Sequence, residues 1–322
     1  MPHHQRQSLS QGPFEGLEID HEDQHLGREI RRMMSSTLSK ATFTINMGDA
    51  YDYNILQENL KQLHQEFRMY ISDIADGLKQ SDDNKNALDE YITDELARMV
   101  YGSNMIEVAG GGVDITLKLC KDVFQGKELP EEINERDEDY HDLKIHLLNK
   151  NLPSGHEAIL RSRREIVQHA EAARYMIDQN VRCGSHVFMD ESKVPAAMRD
   201  MIDELDSDIK KATEEGQIDP VVLASKYCHK FVNIHPFADG NGRMCRLILN
   251  ALLLKYSGRF ICIGQDGQDR QEYLRIAVAA SVEEGSQSQE TGAANYKQLA
   301  SFTLRHARDS MRKVRQLFKR DA

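Results

Sequence analysis

His235-Pro236-Phe237-Ala238-Asp239-Gly240-Asn241-Gly242-Arg243-Met244-Cys245-Arg246 is the stretch that decides how this chain is read. Asp219-Pro220 upstream of it reads as a helix start, with Asp as N-cap and Pro at the first helical position. Val221, Val222, Ser225, Cys228 and Phe231 then form a helical apolar face. Pro236 steers His235 toward an extended conformation, so this helix is expected to stop near Ile234. A loop from Phe237 to Asn241 follows. A second helix is expected after it, with Met244, Leu247, Ile248, Ala251 and Leu252 on one face. Gly240 and Gly242 let the N–H groups at its start converge without side-chain obstruction. Those donors and the positive end of the helix dipole make an anion site. Each part alone has an ordinary structural explanation. Asp-Gly and Asn-Gly mark turns, and arginines three apart often form a solvated face. The combination is what points to chemistry: a proton acceptor, a carboxylate, a glycine-flanked helix start and two arginines, Arg243 and Arg246, in one register.

Composition narrows the function classes. The chain has 322 residues and a formal net charge of −11. That length holds one large domain with extensions or two smaller ones. The negative balance argues against unspecific nucleic-acid binding. Cys120, Cys183, Cys228, Cys245 and Cys262 are odd in number and lack metal-ligand spacing, so they read as reduced thiols. Met1 to Asp20 is polar and has no apolar core of a secretory signal. Leu247 to Leu254 is the densest apolar run and is too short to span a bilayer. The expected location is cytoplasmic, with the nucleus left open, and no membrane partner is expected.

The His235–Arg246 stretch resembles the signature of the Fic family, H-x-F-x-[D/E]-G-N-G-R-x-x-R, and matches it at every specified position. That resemblance implies transfer of AMP from ATP to a Ser, Thr or Tyr hydroxyl of a target protein. It makes His235 the general base, a task suited to an imidazole near neutral pH. Phe237 resembles the residue anchoring the loop, and Asp239 the carboxylate that holds Mg²⁺ (or Mn²⁺). Gly240, Asn241 and Gly242 resemble the phosphate cradle. Arg243 and Arg246 resemble the pair that neutralises the phosphates, with Arg246 at the γ end. Tyr273 is a candidate wall for the adenine, with packing on the core as its plain alternative.

Ser103-Asn104-Met105-Ile106-Glu107 matches the family's inhibitory [S/T]-x-x-x-E core. The resemblance implies that Glu107 pairs with Arg246 and keeps the γ-phosphate away from it. The family usually has Gly or Asn after the glutamate; this chain has Val108, with Ala109-Gly110-Gly111-Gly112 as the helix stop. A β-hairpin flap that docks the target by strand addition is matched by residues 182–189. Here it is short, because Asn180-Val181-Arg182-Cys183 follows the preceding helix almost directly.

The expected fold is mainly α, a Fic-type helical bundle with a short β-hairpin flap. Residues 1–48 are read as a disordered or accessory segment. Residues 49–84 are read as a helical extension, with spacing through Ile55, Leu60, Leu63, Phe67, Ile71 and Ile74. Residues 85–305 form the domain that carries the inhibitory segment 103–107. Residues 306–322 are a basic helix end. Leu88–Val100, Ile115–Phe124, Arg161–Ile177, Ala196–Thr213 and Tyr296–Leu317 read as helices. Glu131–Asp142 and Ser281–Ala294 read as loops, and Phe260–Ile263 as strand-like. The expected activity is protein adenylyltransferase, acting on a hydroxyl-bearing protein and held back by Glu107. Removal of AMP by the same site and a catalytically silent nucleotide-binding scaffold stand as alternatives, and a homodimer is left open.

Overall fold

The computed structural model describes residues 26–40, 44, 50–56, 59–80, 82–178, 193–237, 239–286 and 296–318. The expected flap at 182–189, and Cys183 with it, lies outside the described residues. The described chain is helical: α1 Leu26–Lys40, α2 Tyr53–Leu56, α3 Leu60–Gln80, α4 Asp82–Ile106, α5 Val113–Phe124, α6 Glu138–Asn149, α7 His156–Asp178, α8 Val194–Glu215, α9 Pro220–Ile234, α10 Asn241–Ser257, α11 Gly267–Ser286 and α12 Lys297–Leu317. No helix among the described residues is long and apolar enough to cross a membrane.

α10 is the axis of the bundle. Cys245, Leu247, Ile248, Leu249, Leu252, Leu253 and Leu254 are all buried along it. The expected single stripe is therefore part of a helix covered on several sides. α9, α1, α7 and α4 surround it. Each such apolar side chain contributes roughly 1.5–3 kcal/mol of burial. The helix carrying the glycine-flanked start is thus buried along most of its length. Asn250 is buried on it and is satisfied at both ends: Nδ2 donates to Arg246 O at 3.1 Å, and Oδ1 accepts from Ile261 N–H at 2.7 Å. That second bond explains why Phe260–Ile263 is no strand: a side chain takes up the Ile261 donor there, and no sheet ladder runs alongside.

α9 begins as expected. Asp219 Oδ1 accepts from Val221 N–H at 3.2 Å and Val222 N–H at 3.1 Å, and Pro220 sits in the first turn. The phenol of Tyr51 donates to the same carboxylate at 2.9–3.0 Å and is 2% exposed. Tyr51 lies just before α2 and anchors that part of the chain to the N-terminus of α9.

Several expected boundaries move. Within the segment read as disordered or accessory, residues 26–40 form α1: Leu26, Ile30 and Met34 are buried at spacings of four, and Arg31 forms a paired salt bridge with Asp89 of α4 at 2.6 and 3.1 Å. The expected border at 84/85 falls inside α4, and the border at 305/306 falls inside α12. The acidic stretch Glu131–Asp142 is only half loop. From Glu138 it is α6, with Glu138 and Asp139 in the first turn where acidic side chains favour the dipole. α11 continues through Ser286, so 281–286 are helical. The basic end of α12 is largely paired within the fold: Arg315 with Asp73, Arg312 with Asp309 and Lys313 with Glu95.

Candidate functional site

The site is built where α4 and α9 end beside the start of α10. α9 stops at Ile234 as the sequence implies, but His235 is not extended. It takes a left-handed conformation, φ +52° and ψ +57°, and its N–H closes the helix on Phe231 O at 3.0 Å. Histidine is among the few non-glycine residues that visit this region with some frequency, and doing so costs about 1–2 kcal/mol. The helix-capping bond outweighs the pre-proline preference for extended backbone. The imidazole Nδ1 contacts Val232 O at 3.0 Å, which makes Nδ1 the donor and Nε2 the basic nitrogen.

The loop after His235 is held by its own sequence. Phe237 packs on Phe231, ring centroids 6.0 Å apart. Asn241, 3% exposed, accepts from Phe237 N–H at 2.8 Å and donates to Phe237 O at 2.5 Å. Its side chain therefore staples the loop, and only its backbone is left for a phosphate cradle. Asp239 is at the rim, its side chain 83% exposed. It caps Gly240 N–H at 2.7 Å and lies 3.3 Å from Arg243 Nη2. Gly240 has φ +83°, and the first bond inside α10 runs from Met244 N–H to Gly240 O. The N–H groups before it point out of the helix end, where an anion is favoured.

A carboxylate of the protein itself lies at that end. Arg246 Nη2 donates to Glu107 Oε1 at 2.8 Å and to Ser103 O at 2.9 Å, and its Nε donates to Ser103 Oγ at 2.8 Å. The Arg246 side chain is 3% exposed and that of Glu107 38%. A Cβ on Gly242 would collide with Glu107 Oε1. The second glycine of the motif is thus what gives the carboxylate, or any phosphate in its place, access to the helix start. Burial opposes the Arg246 charge, but Tyr273, Cys245 and Glu107 outweigh it and hold the guanidinium pKa above its ordinary value.

Tyr273 does not form an open wall. It is 4% exposed, with the Arg246 guanidinium 5.5 Å from its ring centroid and Phe302 6.2 Å away. It supports the arginine from below, so the core-packing alternative describes it. Cys245 lies beside it, 3.6 Å from its hydroxyl. The neighbouring Cys228, aided by the Arg246 charge, pulls the Cys245 thiol below its ordinary value against the effect of burial.

Ser103 and Glu107 are placed by the end of α4. Val108 N–H donates to Met105 O and Ala109 N–H to Asn104 O, with Val108 left-handed at φ +56°. This is the helix-ending turn in which glycine is usual. Arg270 of α11 caps the last carbonyls, donating to Met105 O at 3.0 Å and Ile106 O at 2.8 Å. His169 of α7 meets Asn104 Oδ1 at 2.9 Å, and burial, then Arg246 and Arg243, lower its pKa to about 3. Sequence reasoning missed Arg270, His169, Ser162 and Glu165. The last three fall at positions 162, 165 and 169, a polar line at helical spacing along α7, which was the available signal.

No group of three or more metal-ligating side chains exists among the described residues. Asp239 is the motif's one exposed carboxylate, a hard oxygen donor of the type Mg²⁺ takes alongside phosphate oxygens and water. The residues present fit such an ion. A separate cavity of about 340 Å³ lies between α4, α11 and α12, lined in part by Glu95, Asp269, His306 and Lys313. Within it His306 meets Asp269 at 3.0 Å and Lys313 meets Glu95 at 3.8 Å.

The family model for Fic, described as the Fic/DOC family, matches residues 148–253. A protein adenylyltransferase Fic from Nematostella vectensis is 29% identical over 232 residues, covering 68% of this chain and 52% of its own length. This chain thus spans about half the length of that relative. A Fido domain-containing protein from Dictyostelium discoideum is 31% identical over 101 residues, which cover 31% of this chain and 68% of that protein. A crystal structure of a Fic domain containing signaling protein from Bacteroides thetaiotaomicron aligns over 81% of this chain and 98% of its own, with 20% identity and a TM-score of 0.47.

Proposed function

The chain belongs to the Fic/DOC family, and we propose that it is a protein adenylyltransferase moving AMP from ATP to a hydroxyl of a target protein, restrained by its own Glu107. The observation that carries this reading is the meeting of His235, Asp239, the open start of α10 and the Glu107–Arg246 pair at one place. Among its relatives, the Nematostella vectensis protein bears the name protein adenylyltransferase.

In the proposed mechanism the triphosphate lies across the start of α10, where the backbone donors, Arg243 and Arg246 take its charge. Mg²⁺ bound with Asp239 would supply charge neutralisation at the phosphates. His235 Nε2, its other nitrogen committed to Val232 O, accepts the proton of the target hydroxyl. The hydroxyl oxygen attacks the α-phosphorus in line and pyrophosphate leaves. Positioning and fixed charge do most of this chemistry. While Glu107 holds Arg246, the γ-phosphate lacks the arginine assigned to it. The reading includes a reducing compartment, cytosol or nucleus, consistent with Cys120, Cys228, Cys245 and Cys262 as free thiols.

A second reading is favoured by one detail. Glu107 binds Arg246 through Oε1 and keeps 38% exposure, so its outer oxygen can orient a water for the reverse hydrolysis. One experiment tests the first reading. Glu107→Gly protein is incubated with ATP and Mg²⁺, with and without His235→Ala, and its mass is followed. An AMP increment that vanishes with His235→Ala is expected. Equal modification with both would remove His235 as the base.

A further inference from the structure

The turn that carries Glu107 is held by a helix that the proposed chemistry does not use. Ser162, Glu165, Ile166 and His169 of α7 fall at spacings of three and four, on one face of that helix. Ser162 Oγ donates to Gly110 O at 2.6 Å. Gly110 N–H donates to Glu165 Oε2 at 2.9 Å. His169 Nδ1 meets Asn104 Oδ1 at 2.9 Å. Ile166 fills the space below, within 3.2 Å of where a Cβ on Gly110 or Gly111 would stand. Three hydrogen bonds from one helix, with Ile166 close by, thus hold the two ends of a single turn, at residues 104 and 110.

The turn itself resists that grip. Val108 sits at φ +56°, a region in which a β-branched residue is an outlier, and it recovers no burial, being 60% exposed. Beneath it, Nε2 of His169 and Nδ2 of Asn104 are buried with no hydrogen-bond partner among the described residues. Both are groups whose burial without a partner disfavours the closed arrangement. The Glu107 turn is therefore held from α7 and strained at Val108.

We propose that this face of α7 is the latch that positions Glu107 on Arg246, and that the left-handed Val108 turn is where the latch gives way to a triphosphate. Ser162, Glu165 and His169 are positioning residues in this account, since they act through Asn104 and Gly110 and touch no substrate. The proposal rests on the reading of Glu107 as the inhibitory group.

The test uses the full chain. Ser162→Ala and Glu165→Ala are each expected to raise AMP transfer about fivefold, the equivalent of one net hydrogen bond. Neither should change the rate when Glu107 is already Gly. Val108→Gly removes the strain and is expected to lower transfer about fivefold or more. Amide hydrogen exchange over residues 104–111 reads the latch without reference to activity. It should quicken in the α7 variants and slow in Val108→Gly. Loss of transfer in both backgrounds alike would make the α7 residues ordinary packing and overturn the proposal. So would unchanged exchange in Val108→Gly. If Glu107→Gly protein transfers no AMP at all, the AMP-transfer reading falls, and exchange at 104–111 still decides the latch.

Discussion

Glu107→Gly should cost the fold little and make the nucleotide site more receptive, and the structure sets the size of both effects. Arg246 is bound by three acceptors: Ser103 Oγ, Ser103 O and Glu107 Oε1. Removing one partner of a buried pair that had no other bonds would strand a charge at about 1–3 kcal/mol. With Ser103 supplying two of the three bonds, the guanidinium is not stranded. Glu107 is also 38% exposed, so solvent screens the pair. The loss should be about 0.5–1 kcal/mol, which for a chain of this size lowers Tm by about 2 °C or less. The same quantity reappears at the site. A γ-phosphate no longer has to displace a bound carboxylate, so ATP should bind about fivefold more tightly, and further if the two anions exclude each other sterically. Scanning calorimetry with and without ATP measures the first effect, and titration calorimetry the second. ATP should raise Tm more in the variant than in the parent. A Tm loss well above 5 °C would mean that Glu107 is a structural tie. Unchanged ATP affinity would mean that it does not guard the site.

Asp239→Asn should lower transfer by orders of magnitude at low Mg²⁺ with part of the activity returning at high Mn²⁺; undiminished turnover in EDTA would contradict a metal role. Arg246→Ala should lose activity and should stay inactive when combined with Glu107→Gly, because the phosphate contact itself is gone; rescue by the double variant would assign Arg246 to inhibition only. His169 has a folded pKa depressed to about 3, whereas an unfolded imidazole titrates near 6.5, so the unfolded chain binds more protons between those values. Stability should therefore fall as pH drops through that window, by roughly 2–3 kcal/mol at pH 4.5 from this group alone. Urea unfolding at pH 7 and pH 4.5 should show a smaller acid loss for His169→Gln than for the parent, and equal losses would refute the assignment.

The parts of the fold legible in the sequence were those whose causes are local. Asp219-Pro220 starts α9 because capping chemistry acts over three residues. Gly240 marks the open start of α10 for the same reason, and the structure gives it a left-handed backbone. The Glu107–Arg246 pair was legible only through the family resemblance, since 139 residues separate the two in the chain. Features built from distant partners left no local trace. Nothing near Tyr51 announces that its phenol will bind Asp219. Leu26, Ile30 and Met34 are too few among charged neighbours to mark α1 as core. His235 went against the pre-proline rule because closing α9 on Phe231 competes with that preference and wins. Tyr273 could be read as wall or core, and only the neighbouring Arg246 and Phe302 decide for core.

The central claim is that this site moves AMP and that Glu107 restrains it. The most direct measurement incubates the parent chain and Glu107→Gly with Mg²⁺ and ATP labelled at either the α- or the γ-phosphate, and follows label bound to protein. The account predicts α-label on protein, several-fold more with Glu107→Gly than with the parent, and no γ-label with either. Protein-bound γ-label would show phosphate transfer instead, and α-label no greater with Glu107→Gly than with the parent would contradict the restraint.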